Sequence, residues 1–297
     1  MTVEARVRTA PSVLGRAVIE SVAYSDVFDF PVTVAEIHRS LPVFASIAEV
    51  ESGLDALGDY VARLAPYRVL AGREALVETR LRREEASRRL MRRAGFYGRL
   101  ISRLPFVRMV AVTGSLAVEN ADDGDDVDYL IVTAPGRVWL ARALTMAVVR
   151  FAGLRGLTLC PNYLLTETAL ALPDRDLYTA RELLQMRPVA GHGVHGLMLD
   201  ANAWCQELLP NWQRDVSDEE ARRSAPTKLG ELLLGGSFGD KLERWLLARK
   251  GRELRAQAAG NREAIFDETM CKGHFDSHRS RLQEALTERL TRLGVQP

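Results

Sequence analysis

Residues 112–132, VTGSLAVENADDGDDVDYLIV, place two apolar segments on either side of a turn that is crowded with acids. So many carboxylates in a short stretch repel one another unless water or a cation screens their charge. The apolar flanks are rich in β-branched residues, and the first of them ends at Gly114. The segment therefore predicts two strands of one sheet. Six carboxylates crowd the turn: Glu119, Asp122, Asp123, Asp125, Asp126 and Asp128.

Two of these carboxylates open the second strand, and their spacing gives them a common direction. In a strand, residues two apart project from the same face, so Asp126 and Asp128 point together while Val127 turns into the core. Such a pair suits Mg²⁺, which takes oxygen ligands and shares them with substrate phosphates. Gly114 and Ser115 begin a short helix whose N–H groups and hydroxyl can receive a phosphate. The alternative is a solvated turn in which Gly114 serves only backbone freedom.

This pattern of residues resembles the signature of a known family. Gly114-Ser115, a spacer of ten and Asp126-Val127-Asp128 before an apolar strand are similar to the signature of polymerase-beta-like nucleotidyltransferases. The resemblance covers about 110–132 for the motif and 80–172 for the fold. It implies that Gly114 and Ser115 engage the triphosphate of an NTP. It also implies that Asp126 and Asp128 are catalytic residues that bind Mg²⁺ or Mn²⁺.

The third carboxylate that this family commonly carries on a later strand has no clear counterpart here. The third predicted strand, LTLCPNYLLTE, offers Asn162 in its middle and Glu167 at its exit. An amide cannot act as a general base, whereas Glu167 can if the strand carries it into the site. A later helix is similar to those that shape acceptor pockets in the family, and its polar candidates are Tyr178, Arg181 and Glu182. For all three we favour a surface or capping role.

The first 79 residues predict a winged-helix-like module. Thr33 with Glu36 and Ser46 with Glu49 form capping boxes that start a second and a third helix. A hairpin is predicted from YRVLAG and EALVET. The third helix carries acids and no Lys or Arg, so phosphates would repel it and DNA is a disfavoured partner. The module therefore favours protein contact or dimerisation, which is compatible with a homodimer.

The fold class predicted for the whole chain is α+β. The winged-helix-like module (1–79) precedes a small mixed-sheet nucleotidyltransferase core with an Arg-rich leading helix (80–172) and a helical C-terminal domain (173–297). The leading helix has ten arginines against two glutamates between Arg80 and Arg108. A solvated face is the simplest interpretation, and contact with a phosphate-bearing substrate such as RNA is the alternative. Pro161 suggests an edge position or a bulge for the third core strand.

Composition limits the remaining choices. A formal net charge of +1 gives no whole-protein signature of a nucleic-acid or membrane binder, and no apolar run is long enough for a transmembrane helix. The 3 cysteines are too few for a disulfide framework, and the N-terminus lacks the apolar region of a signal peptide. We therefore expect a cytoplasmic protein.

Three functions remain open at this point. The first is Mg²⁺-dependent transfer of NMP from an NTP to an unidentified acceptor, either a small molecule, RNA or protein. The second is a non-catalytic nucleotide-binding or regulatory member of the same fold. The third is a toxin-like enzyme that modifies RNA or protein.

Overall fold

The computed structural model describes residues 11–214, 225–258, 264–273 and 278–295, and these form two compact units. The first unit comprises the described parts of Met1–Arg80, Gln206–Gln213 and Ser280–Pro297. The second comprises the described parts of Leu81–Cys205 and Arg214–Arg279. The first division after Arg80 lies next to the predicted boundary at 79/80. The two units do not divide at the predicted boundary 172/173. Most of the predicted C-terminal domain belongs to the same unit as the core.

The first unit begins with three helices and a small antiparallel sheet. Its elements are α1 (Val13–Asp26), β1 (Val32–Thr33), α2 (Val34–Ser40), α3 (Ile47–Asp55), β2 (Val61–Leu64) and β3 (Tyr67–Leu70), and the strand order is β1-β3-β2. Both predicted capping boxes are present: Thr33 and Ser46 each accept from the backbone N–H three residues on, while Glu36 and Glu49 return the contact. The two helix starts were thus predictable from local chemistry alone.

A hairpin is present, but the prediction pairs its YRVL strand with the wrong segment. That strand, β3, pairs with the preceding segment VARL, and the turn between them is Ala65-Pro66, so EALVET does not form the second strand. Residues 76–79 instead open the long helix α4 (Leu76–Ser102), which begins four residues before the predicted start. Proline fixes its own φ and lacks an N–H, which suits it to the turn between Leu64 and Tyr67.

The second unit is built on a mixed sheet. Its strands are β4 (Val107–Val112), β5 (Val127–Thr133), β6 (Leu159–Thr166), β7 (Arg187–Ala190), β8 (Ile265–Phe266) and β9 (Met270–Lys272). Among the described residues the order is β7-β4-β5-β6-β9-β8, with β5 and β6 parallel and the other pairs antiparallel. The mixed α and β composition and the mixed sheet of the prediction are confirmed.

One prediction about this sheet holds in one of its two alternatives, and another needs correction. Pro161 indicates an edge position or a bulge: β6 lies between β5 and β9, so it is not an edge strand, but its pairing with β5 shifts in register around Pro161, as the bulge alternative requires. The region after Pro173 is largely helical, but it also supplies β7, β8 and β9. These strands have two to four residues, too few for a period-2 pattern to appear in the sequence.

Helices cover the sheet and complete the chain. α5 (Gly114–Ala117) and α6 (Val138–Gly153) connect the core strands, and α7 (Leu177–Gln185) leads into β7. The remaining helices are α8 (His192–Ala201), α9 (Trp204–Leu208), α10 (Ala225–Leu233), α11 (Gly236–Leu246), α12 (Arg252–Gln257) and α13 (His278–Arg292), with a π-helical segment, Leu247–Gly251, between α11 and α12.

The core of the second unit lies between α4, α6 and the central strands. Leu90, Ala94, Tyr97 and Ile101 of α4 are buried in one cluster with Tyr129 of β5. These four α4 positions recur at intervals of three and four, which places them on one face of the helix. The Tyr129 hydroxyl donates a 2.6 Å hydrogen bond to the Ala94 carbonyl oxygen, so β5 is tied to α4 beside the acidic turn.

The N-terminus of α6 is capped by a buried carboxylate from another helix. Glu243 of α11 accepts hydrogen bonds from the backbone N–H groups of Trp139 (2.8 Å) and Leu140 (2.7 Å). The N-cap residue of α6, Arg137, makes no side-chain cap of its own. Glu243 therefore satisfies donors that the first turn of a helix leaves without partners.

We predict that Glu243→Ala destabilises the second unit by about 2 kcal/mol, because two buried N–H groups lose their acceptor. Urea unfolding followed by far-UV circular dichroism measures the change. The control is Glu253→Ala, which removes an exposed carboxylate that pairs with Lys250 and should leave the midpoint unchanged. Equal midpoints for the two variants would contradict the capping role.

Candidate functional site

The pairing of β4 with β5 brings the two halves of the predicted motif together. Val112 lies opposite Tyr129, and the Thr113 N–H donates a 3.0 Å hydrogen bond to the Asp128 carbonyl oxygen. The last residues of β4 and the first residues of β5 therefore meet at one end of the sheet. Gly114 and Ser115 leave β4 at this end, where Asp126 and Asp128 enter β5.

The Asp128 carboxylate occupies the space where a side chain at Gly114 would lie. The φ of Gly114 is +67°, and a Cβ at this position would lie 2.6 Å from Asp128 Oδ2. Both facts exclude a side chain, because L-residues avoid that backbone region and the contact is far inside van der Waals range. The absence of a side chain at Gly114 thus leaves room for the Asp128 carboxylate, which is more than a turn requires.

The helix that begins at Gly114 is short, as the sequence predicts. α5 spans only Gly114–Ala117, so its macrodipole is small. The half-buried Ser115 contributes its backbone carbonyl to a 2.8 Å hydrogen bond from Asn120 N, which holds the turn. Any anion binding here depends on the N–H groups and hydroxyl of the turn rather than on a long helix.

Asp126 and Asp128 converge with a third potential ligand that the sequence analysis does not include. One carboxylate oxygen of each aspartate and the Cys160 Sγ all lie within 4.8 Å of one another. Cys160 is opposite Asp128 in the parallel β5–β6 pair. Asp126 is exposed, whereas Asp128 and Cys160 are partly buried. The two oxygens fit a hard divalent cation, and the thiol adds a softer donor on one side.

Asn162 orients Asp128. Its Nδ2 donates to Asp128 Oδ1, and its Oδ1 accepts a 2.7 Å hydrogen bond from the Cys160 thiol. The register slip around Pro161 accompanies this placement. Asn162, one of the two candidates for the third position, therefore lies next to the aspartate pair, where its amide is a hydrogen-bond partner of Asp128.

Glu167, the other candidate for the third position, lies at the opposite end of the sheet. Its N–H bonds the Thr133 carbonyl oxygen, five residues along β5 from Asp128. At about 3.3 Å per residue, roughly 17 Å of strand separates the two positions. Its carboxylate is 3.9 Å from Arg108 Nε instead. β6 does not carry Glu167 into the aspartate site.

The electrostatics of the site centre on Asp128. Burial, the Asp126 charge and the charge of Glu182 raise the pKa of Asp128 to about 7, while the hydrogen bond from Asn162 acts in the opposite direction. Burial and the two aspartates likewise raise the pKa of the Cys160 thiol to about 12. The raised pKa values mean that the ionised forms of these side chains are disfavoured at this site. A bound cation would stabilise the ionised forms.

Glu182 is the site residue whose position differs most from expectation. The sequence favours a surface or capping role, but Glu182 is half-buried and its charge acts on Asp128. α7 places it there because the helix runs directly into β7, where Arg187 lies opposite Val112 at the same sheet end. Burial raises the pKa of Glu182 to about 7.

The rest of the acidic turn is neutralised by α4. Asp122 accepts from Arg82 and Arg83, and both Asp123 oxygens are 2.9 Å from Arg89 Nη2. The Asp122 N–H is in turn 2.9 Å from Asp125 Oδ2. These three acids therefore form the turn, and three arginines of α4 are engaged with it rather than with solvent alone.

No protein-family model, curated protein or solved structure matches this chain at a significant level. None of the helices in the described ranges combines the length and apolar character needed to cross a lipid bilayer.

We predict that Gly114→Ala lowers stability by at least about 1 kcal/mol and displaces the Asp128 carboxylate, because the new methyl group meets Oδ2 in a strained backbone. Thermal unfolding measures the first effect. Gly124→Ala is the matched control, since no atom lies within 4 Å of a Cβ built there and its φ is not positive. Equal unfolding temperatures for the two variants would show that the Gly114 contact has no energetic consequence.

The raised pKa of Asp128 predicts a specific pH dependence of stability in metal-free protein. The folded state favours the protonated carboxyl, so the contribution of Asp128 to stability is largest below about pH 4 and is lost as the pH rises towards about 7. Asp128→Asn should flatten this fall, whereas Asp123→Asn should preserve it. Unfolding temperatures in EDTA across this range measure the slope, and identical slopes for wild type and Asp128→Asn would contradict the electrostatic account.

Proposed function

We propose that this protein is a nucleotidyltransferase that moves NMP from an NTP to an acceptor, with Mg²⁺ or Mn²⁺ as the cofactor. The observation that supports it best is the convergence of Asp126, Asp128 and the Gly114 turn at one end of the β4–β5 pair. Phosphoryl transfer needs a carboxylate-held cation next to N–H donors for phosphate oxygens. The likeness to polymerase-beta-like nucleotidyltransferases rests on the same residues.

Each residue of the site has a role in this proposal. Asp126 and Asp128 hold the cation, and Asn162 keeps the Asp128 carboxylate in its orientation. The N–H groups and hydroxyl of Gly114-Ser115 bind the β- and γ-phosphates, and the lack of a side chain at Gly114 keeps the space beside the Asp128 carboxylate open. The bound cation supplies charge stabilisation at the phosphates during transfer.

A non-catalytic nucleotide-binding or regulatory protein is the second candidate. It is favoured by Asn162, which occupies the β6 position where the family commonly has a carboxylate. A toxin-like transferase acting on RNA or protein is a variant of the first candidate. The pairing of Arg82, Arg83 and Arg89 with the acidic turn leaves fewer arginines of α4 for RNA.

The first unit is proposed to be winged-helix-like and to contact protein. Its element order and its β1-β3-β2 sheet support the winged-helix interpretation. α3 exposes Glu49, Glu51 and Asp55, which disfavours DNA by charge repulsion. Dimerisation through this unit and a cytoplasmic location remain proposals.

The proposed function predicts that Asp128→Asn reduces pyrophosphate release from Mg²⁺-NTP by at least about 100-fold, since one of two cation-holding carboxylates loses its charge. The wild type is screened with each of the four NTPs, and Asp123→Asn is the matched control. Tight NTP binding without pyrophosphate release would favour the second candidate. Release at the wild-type rate by Asp128→Asn would contradict the mechanism.

A further inference from the structure

The arginines of α4 and α6 are concentrated in two parts of the chain that contain no acid. Residues 86–118 contain 7 arginines and residues 129–166 contain 4, and neither stretch has an Asp or Glu. The acidic turn meets α4 before most of these arginines, at Arg82, Arg83 and Arg89. The net charge of +1 for the whole chain therefore conceals a strongly positive region.

The arginines beyond the acidic turn are exposed and carry no counter-charge. The side chains of Arg92 and Arg93 on α4, of Arg150 on α6 and of Arg155 just after it are all exposed. In the part of the chain that the structure describes, no carboxylate forms an ion pair with any of the four. A surface with several unpaired cations attracts a polyanion, because each bound phosphate relieves their mutual repulsion.

A direct contact joins α4 to the end of α6. Arg93 Nη2 donates to the carbonyl oxygens of Arg155 (3.1 Å) and Gly156 (3.5 Å). The two helices run in opposite directions, since α4 starts beside the acidic turn and α6 ends on the same side of the sheet. Phe96, one turn after Arg93, and Phe151, one turn before Arg155, therefore lie on the same side of this contact.

Both of these phenylalanines are exposed. Phe96 is 56% exposed and Phe151 is 41% exposed. The Arg155 guanidinium lies over the Phe151 ring, 3.9 Å from its centre. Single exposed apolar side chains are common, but two aromatic rings among unpaired arginines are typical of surfaces that stack bases and bind phosphates. Together these exposed side chains form an arginine–aromatic surface: Arg92, Arg93, Phe96, Arg150, Phe151 and Arg155.

The arginine–aromatic surface begins next to the start of β5. Gly156, whose carbonyl oxygen accepts from Arg93, is two residues before Thr158. The Thr158 carbonyl oxygen accepts a 2.9 Å hydrogen bond from the N–H of Val127, the residue between the two aspartates of the candidate site. Two residues of chain span at most about 7 Å. A strand bound along this surface can therefore extend to the aspartate pair.

We propose that the arginine–aromatic surface binds single-stranded RNA. The arginines contact the phosphates, and the two rings and the Arg155 guanidinium plane stack on bases. A single strand fits this chemistry better than a duplex, whose bases are already stacked on one another. The choice of RNA rests on the proposed function, which allows RNA as an acceptor. The surface then holds the strand beside the site.

An anionic bilayer matches the charge of this surface but not its pattern. Helices that lie in a membrane interface use a large, continuous apolar face. On the exposed face of α4, Arg92 and Arg99 flank Phe96 instead. Alternating rings and guanidinium groups suit a chain in which bases alternate with phosphates.

The test measures RNA binding by the full chain without NTP or metal. Fluorescence anisotropy of a fluorescein-labelled single-stranded RNA of about 12 nucleotides gives the Kd. Phe96→Ala/Phe151→Ala should raise the Kd by at least about 10-fold, because two stacking rings are lost. The matched control is Phe238→Ala, which removes an exposed phenylalanine of α11 and should leave the Kd unchanged.

A second pair of variants measures the contribution of charge. Arg92→Ala/Arg150→Ala should reduce the slope of log Kd against log salt concentration by about 1.4, since each phosphate contact on a single strand contributes about 0.7. Arg249→Ala/Arg252→Ala removes two exposed arginines elsewhere in the second unit and should keep the wild-type slope. Equal slopes for the two double variants would contradict phosphate contact at this surface.

Four further results have defined meanings. No RNA binding by wild type, or an unchanged Kd in Phe96→Ala/Phe151→Ala, would overturn the inference. Tighter binding of single-stranded DNA of the same sequence would assign the surface to DNA. Binding to phosphatidylserine vesicles without RNA binding would assign it to a membrane. If no NTP yields pyrophosphate while RNA binding depends on the surface variants, the proposed function fails and the RNA surface stands.

Discussion

The contact between Gly114 and the Asp128 carboxylate is the constraint on which the candidate site depends. It exists because β4 and β5 pair antiparallel up to Thr113, so one strand leaves the sheet where the other enters it. A side chain at Gly114 would occupy the space of Asp128 Oδ2. The Asp128 carboxylate therefore lies against the turn that Gly114 and Ser115 begin, which is the arrangement that a carboxylate-held cation next to a phosphate would use.

The surroundings of this contact separate two groups of acids. Asp122 and Asp123 form ion pairs with arginines of α4 in the outer part of the turn. Asp128 and Glu182 lie deeper, and their pKa values are raised to about 7. One short acidic stretch thus contains a neutralised turn and an aspartate that favours either a proton or a cation. For the aspartates, the difference arises first from burial and then from the neighbouring negative charges.

Local sequence signals predicted the parts of the molecule that depend on local chemistry. The capping boxes at Thr33 and Ser46 marked two helix starts, and the alternation around Val127 gave the direction of Asp126 and Asp128. What the sequence missed depends on distant partners. β7 is four residues long, contains Pro188 and is a strand only because β4 lies beside it, so the placement of α7 and Glu182 was hidden. Glu167 looked suitable by residue type, but the length of β6 takes it to the far end.

The central claim is that Asp126 and Asp128 together hold a divalent cation. Titration of Mn²⁺ into the full chain, followed by electron paramagnetic resonance of the free ion, measures this directly in wild type and in the double variant Asp126→Asn/Asp128→Asn. The double variant Asp122→Asn/Asp123→Asn removes the same charge from the neighbouring turn. The account predicts that binding is lost in the first double variant and kept in the second. Equal Mn²⁺ binding by the two double variants would contradict it.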